Sequence, residues 1–71
     1  TTIKFRINAT NEVSLKLLDN QGRKLRTLIH GERTEGEHEV QVSVMDLNAG
    51  VYFYTLKTGF YQETKKLLVI R

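Results

Sequence analysis

The stretch Val13-Ser14-Leu15-Lys16-Leu17-Leu18-Asp19-Asn20-Gln21-Gly22-Arg23 decides the fold. Val13, Leu15 and Leu17 alternate with Ser14 and Lys16. That period of two belongs to a strand with one buried and one wet face. Asp19 and Gly22 then occupy the first and fourth positions of a type I turn, where Gly22 is free to take the positive φ of a hairpin bulge. An amphipathic strand that runs into a hairpin turn calls for an antiparallel partner directly after it, placed here at about Arg23 to Ile29. The pattern slips there, with Leu25 followed by Leu28 and Ile29. A bulge or a strand end near Thr27 accounts for the slip.

The same alternation recurs on both sides. Ile3, Phe5 and Ile7 alternate with Thr2, Lys4 and Arg6, and Asn8-Ala9-Thr10-Asn11 separates this first strand from the second. His30 to Glu35 reads as a polar connection closed by Gly36. His38, Val40, Val42 and Val44, alternating with Glu39, Gln41 and Ser43, predict a fourth strand to about Val44. Met45 to Gly50 is a second connection. Val51 to Lys57 is apolar on both faces, Val51 and Phe53 against Tyr52, Tyr54 and Leu56, as in a central strand covered on both sides. Thr58-Gly59 turns the chain into a last strand from Phe60 to Ile70. Short strands, turn chemistry between them and no helical period predict an all-β fold, a sandwich or barrel; the Leu47 to Tyr52 segment selects an Ig-like antiparallel β-sandwich of about six to seven strands. Proline is absent, so no strand is demoted to an edge on that ground.

At 71 residues the chain is a single domain, residues 1–71. A domain this short buries only about 60% of its unfolded surface. With no cysteine, neither a disulfide nor a thiolate metal site supports it. The net charge is +3, from 11 Lys and Arg against 8 Asp and Glu. These basic residues are interleaved with apolar ones at strand spacing, which argues against a nucleic-acid footprint. No apolar run reaches the roughly 20 residues of a membrane helix, and no secretory leader opens the chain. Beginning Thr1-Thr2-Ile3-Lys4-Phe5, it reads as a piece of a longer polypeptide.

Leu47-Asn48-Ala49-Gly50-Val51-Tyr52 has the order of a tyrosine corner, in which the phenol hydroxyl bonds back to main chain a few residues upstream. Gly50 lets the chain bend without a Cβ clash. The alternative is that Tyr52 is a plain core aromatic.

Catalytic chemistry is sparse. His38 lies in phase with Val40 and Val42 at the rim of the apolar face, and His30 reads as an exposed loop residue. Neither sits in a ligand-spaced cluster, so no metal is expected. Glu32, Glu35, Glu37 and Glu39 crowd one stretch. Paired carboxylates suit glycoside hydrolysis, but Glu37 and Glu39 share a solvent face, Glu32 and Glu35 fall in the loop before it, and a domain this small leaves little room for a cleft. A solvated acidic edge fits better, with weak calcium binding in the loop as the remote alternative. Ser14 and Ser43 lack a nucleophile elbow, and the glycines form no phosphate-cradling loop. No enzyme and no cofactor are expected. Lys65-Lys66 enters the last strand either as edge protection or as a recognition handle.

Three segments, taken in order, resemble a known family. They are Val13 to Arg23 with its Asp-x-x-Gly turn; Gly36-Glu37-His38-Glu39-Val40 followed by Leu47-Asn48-Ala49-Gly50-Val51-Tyr52-Phe53-Tyr54; and Thr64-Lys65-Lys66-Leu67-Leu68-Val69-Ile70-Arg71. Together with Thr2-Ile3-Lys4-Phe5 they look like the type A C-terminal sorting domain of the type IX secretion system. The Asn-Pro-rich stretch that commonly precedes that domain is missing here. The Ig-like domain of the flagellar hook-assembly protein is a relative, but it carries Trp-Asp where this chain has Val42-Ser43.

The resemblance implies a non-catalytic domain at the end of an exported cargo protein. It would be read by the outer-membrane translocon and its shuttle proteins, and then removed by a sortase. Transit runs through the periplasm to the cell surface or medium, without membrane insertion and without nucleic acid. The recognised signal implied is Lys65, Lys66, Leu67, Leu68, Val69, Ile70 and Arg71. Asp19, Gly22, Leu47, Gly50 and Tyr52 are implied as the structural motif. The competing reading is an Ig-like spacer or carbohydrate-binding module, with exposed aromatics such as Phe53 or Tyr61 on the glycan.

Overall fold

The computed structural model describes residues 1–59 and 61–70, and within them it is all β with no helix. The strands are β1 Thr2–Ile7, β2 Asn11–Leu18, β3 Lys24–Arg33, β4 Gly36–Gln41, β5 Gly50–Thr58 and β6 Tyr61–Val69. They form two antiparallel sheets, β1-β4 and β3-β2-β5-β6, stacked as a β-sandwich. β2-β3 and β5-β6 are hairpins, and the chain changes sheet after β1, β3 and β4.

β2 supplies the centre of the core, because Val13, Leu15 and Leu17 are wholly buried. Ile3 and Ile7 of β1 cover them from the second sheet, and Ile29, Val42 and Leu56 complete the cluster. Each such side chain contributes about 1.5–3 kcal/mol through burial.

The slip in strand three is a pair of bulges. Register shifts fall between Leu15 and Lys16 and between Leu17 and Leu18 of β2, so Leu28 and Leu25 are the unmatched residues, one on each side of Thr27. The strand does not end there. It continues through His30, Gly31 and Glu32 to Arg33, which pairs with Asn11, and only Thr34 and Glu35 link it to β4. The polar connection expected at His30 to Glu35 is therefore mostly strand. Pairing uses main-chain groups, and an edge strand can form it without apolar side chains. In the other direction β4 stops at Gln41, three residues short of the expected end, although Val42 is buried and its amide still donates to the Thr1 carbonyl at 2.7 Å.

β5 is central in its sheet, between β2 and β6, but it is not covered on both sides. Leu56 is buried and Tyr52 and Tyr54 pack on the core, whereas Val51 on the outer face is 37% exposed. The smaller sheet has only two strands, and it lies on the inner face. The last strand begins at Tyr61 and ends at Val69; Phe60, where it was expected to begin, lies outside the described residues.

Two local devices set the sandwich's bends. In the β2-β3 turn the Asp19 carboxylate accepts from the amides of Gln21 (2.9 Å) and Arg23 (2.8 Å) and from the Arg23 Nε (2.9 Å), while Gly22 takes φ +84°. Before β5, the Tyr52 hydroxyl donates to the Asn48 carbonyl at 2.7 Å, and Leu47 packs on the core. Gly50 is required for its φ of +152°; a Cβ there would meet nothing within 4 Å, so the constraint is the backbone angle and not the clash expected from the sequence.

Two outcomes follow. Removing the hydroxyl with Tyr52→Phe should cost about 1 kcal/mol of net hydrogen-bond energy, a fall in Tm of about 4–8 °C for a domain of this size; an unchanged melting curve would make Tyr52 a packing residue only. The Arg23 amide above all, with the Gln21 amide and the Arg23 side chain, holds the Asp19 carboxyl below its ordinary 3.8. Its contribution to stability is whole above that value and is lost as pH falls further and protonates the folded carboxyl. Asp19→Ala should therefore lower Tm at pH 7, and its deficit against wild type should shrink as pH is taken down below 3.8; a loss of the same size at every pH would exclude the anion.

Candidate functional site

β6 pairs only with β5, so among the described residues one side of its main chain meets no strand. Adjacent residues of a strand point to opposite faces, and this divides the residues singled out at the terminus. Lys65 sits opposite Tyr54 on the inner face, with its Nζ 3.7 Å from Glu63 Oε1. Lys66 sits opposite Phe53 on the outer face. Leu67 packs on the core and Val69 is buried. Leu68 and Ile70 are 58% and 79% exposed. The double lysine is thus two separate cations on two surfaces, and every second residue of the terminal stretch belongs to the core. Arg71 lies outside the described residues.

Contrary to expectation, the domain has a cleft. It holds about 500 Å³ between β1 and β6, because the two-stranded sheet does not reach over the edge of the larger one. Ile3, Ile7, Leu15 and Leu56 form its apolar wall, and Tyr61, Glu63 and Lys65 its polar wall. Glu63 is the one carboxylate among its lining residues, so the carboxylate pair of a glycosidase is not assembled there.

The other candidates resolve into structural roles. Glu37 and Glu39 on β4 stand opposite Arg6 and Lys4 on β1, and Glu37 Oε1 pairs with Arg6 Nη1 at 3.2 Å. Cross-strand pairing of opposite charges neutralises this acidic edge. Glu32 is in β3, opposite Glu12, rather than in a loop. No group of three His, Cys, Asp or Glu among the described residues is placed to hold a metal ion. His38 stacks on Phe5, with ring centres 5.4 Å apart and 18° between planes, and its Nε2 lies 2.7 Å from the Thr34 carbonyl. As an Nε2–H donor it is a satisfied histidine at the rim of the core. His30 is exposed as expected, but on strand β3 opposite Ser14.

One feature escaped the sequence reading. On the outer face of the larger sheet Leu18 lies beside Phe53, and Val51 beside Leu68. The only signal for it in the sequence was Leu18 breaking the alternation of β2, together with a fifth strand apolar on both faces.

No curated protein and no solved structure matches the chain. A family profile described as "Secretion system C-terminal sorting domain" matches residues 1–70, essentially the whole chain. With a six-stranded sandwich, an Asp19-to-Gly22 turn and a Gly50-Tyr52 corner on the same residues, the chain belongs to the family of C-terminal sorting domains of the type IX secretion system.

Proposed function

We propose that this domain is the address that the outer-membrane translocon of the type IX system and its shuttle proteins read on a cargo protein, and that β6 is the part they contact. Sorting domains of this family mark a cargo for export to the cell surface or medium. Within that role, Asp19, Gly22, Leu47, Gly50 and Tyr52 act through folding, while Lys65, Lys66 and the exposed half of the terminal stretch act through contact. The observation that carries the reading is the open side of β6, which offers main-chain donors and acceptors to an added strand. The lysines beside it set charge preference and encounter rate. Transit passes through the periplasm, and a surface sortase then separates the domain from its cargo.

The experiment is a reporter carrying an export leader and ending in this domain, expressed in a type IX-competent host. The wild-type fusion should reach the surface or medium, and deletion of residues 68–71 should leave it in the periplasm. Because Val69 is a core residue, a second variant, Lys65→Glu/Lys66→Glu, tests contact in a domain whose circular dichroism shows it folded. A wild-type fusion retained in the periplasm would overturn the sorting role, and full export of the folded double variant would remove the lysines from the signal.

A further inference from the structure

The two outer faces of the sandwich differ in kind. On the smaller sheet, Lys4 and Arg6 are matched by Glu39 and Glu37 directly opposite. On the larger sheet, Lys16 on β2, Lys24 on β3 and Lys66 on β6 have no ion-pair partner among the described residues. Pairing puts them around the apolar residues. Lys24 is opposite Leu18, Lys66 opposite Phe53, and Lys16 is two residues before Leu18 on the same face. The nearest carboxylates on that face, Glu12 and Glu32, are at the far end of β2 and β3.

We propose that this face, with Leu18, Phe53, Val51 and Leu68 at its centre and unmatched lysines at its rim, docks a protein partner whose surface presents an apolar ridge flanked by carboxylates. Val51 and Leu68 are exposed and Leu18 and Phe53 half-buried beside them; an apolar patch with a polar rim marks an interaction site, and here the rim is of one sign only. That asymmetry selects the occupant. A second copy would set lysine rim against lysine rim, and like charges in juxtaposition oppose the contact. An anionic membrane is a poor match too, since a flat sheet face inserts little apolar surface into it. The acidic protein surface is left. The proposal rests on the sorting role above and deepens it: the terminal strand is read from its face, through Lys66 and Leu68, together with β2 and β3, and not from its edge alone.

Lys16 and Lys24 lie outside the terminal strand, so only face docking makes them matter. In the reporter fusion, Lys16→Glu/Lys24→Glu should reduce export by about tenfold or more with the domain still folded, while Lys4→Gln/Arg6→Gln on the opposite sheet should leave export at the wild-type level. A photo-crosslinking residue at Leu68 should form an adduct with an acidic outer-membrane protein, and one at Glu39 should not. Export of Lys16→Glu/Lys24→Glu equal to wild type overturns the face and leaves the sorting role standing. An adduct only with a second copy or with lipid, or none, does the same. A wild-type fusion that is not exported overturns both.

Discussion

Everything in this molecule depends on the burial of β2. Among the described residues Val13, Leu15 and Leu17 are the largest fully buried side chains, and they come from one strand at alternate positions. β2 has a neighbour on each side in its own sheet and the β1-β4 pair above it. No disulfide shares the task, so a single apolar seam has to offset the conformational entropy of the whole chain. Truncating any of the three leaves a cavity worth about 2–5 kcal/mol for leucine, which is much of the stability a small domain has.

A single seam dictates a lopsided sandwich. Two strands suffice to roof β2, and the four-stranded sheet then overhangs them. The overhang explains why the inner face of β6 turns polar towards its start, at Tyr61, Glu63 and Lys65, and why a cleft opens beside β1. It also leaves the outer face of the larger sheet without a layer of protein over it. Polar residues are the default on such a face, and Lys16, Thr55, Thr64 and Lys66 conform to it. Leu18, Val51, Phe53 and Leu68 do not, and the fold does not need them there.

Where residues alternate over a buried seam, the strands were legible from the sequence alone. β1, β2 and the Asp19 to Gly22 hairpin followed from side-chain period and turn chemistry, and of the two readings of the slip at Leu25 and Leu28, a bulge or a strand end, the register shows bulges. The extension of β3 to Arg33 was not legible, because His30, Gly31 and Glu32 carry no apolar signal and are held by main-chain pairing. The end of β4 failed in the opposite way: Val42 and Val44 keep the apolar phase and still pack on the core after strand pairing has stopped. β5 departs from its pattern because a face apolar in sequence need not be a covered one. At the terminus the residues were legible as a set, but their partition between core and surface needed the register that only strand pairing supplies.

That partition bears on what a terminal strand can signal. With Leu67 and Val69 placed in the core, what the terminal stretch leaves free for recognition is Lys66 and Leu68 on the outer face of β6, Ile70 just past its end, and the exposed Lys65 on the inner face. So few positions make a thin contact, well below the roughly 20–30 residues a side of a standard interface. Neighbouring strands can supply the rest only if the domain is folded, because pairing across the sheet brings Phe53 beside Lys66 and puts Lys16 and Lys24 on the same face two and three strands away. A folded domain is therefore more than a handle for its last residues. The turn at Asp19 and the corner at Tyr52 hold β3 and β5 in the register that lines these residues up, so under the proposed sorting role they would belong to the signal as much as the terminal lysines do.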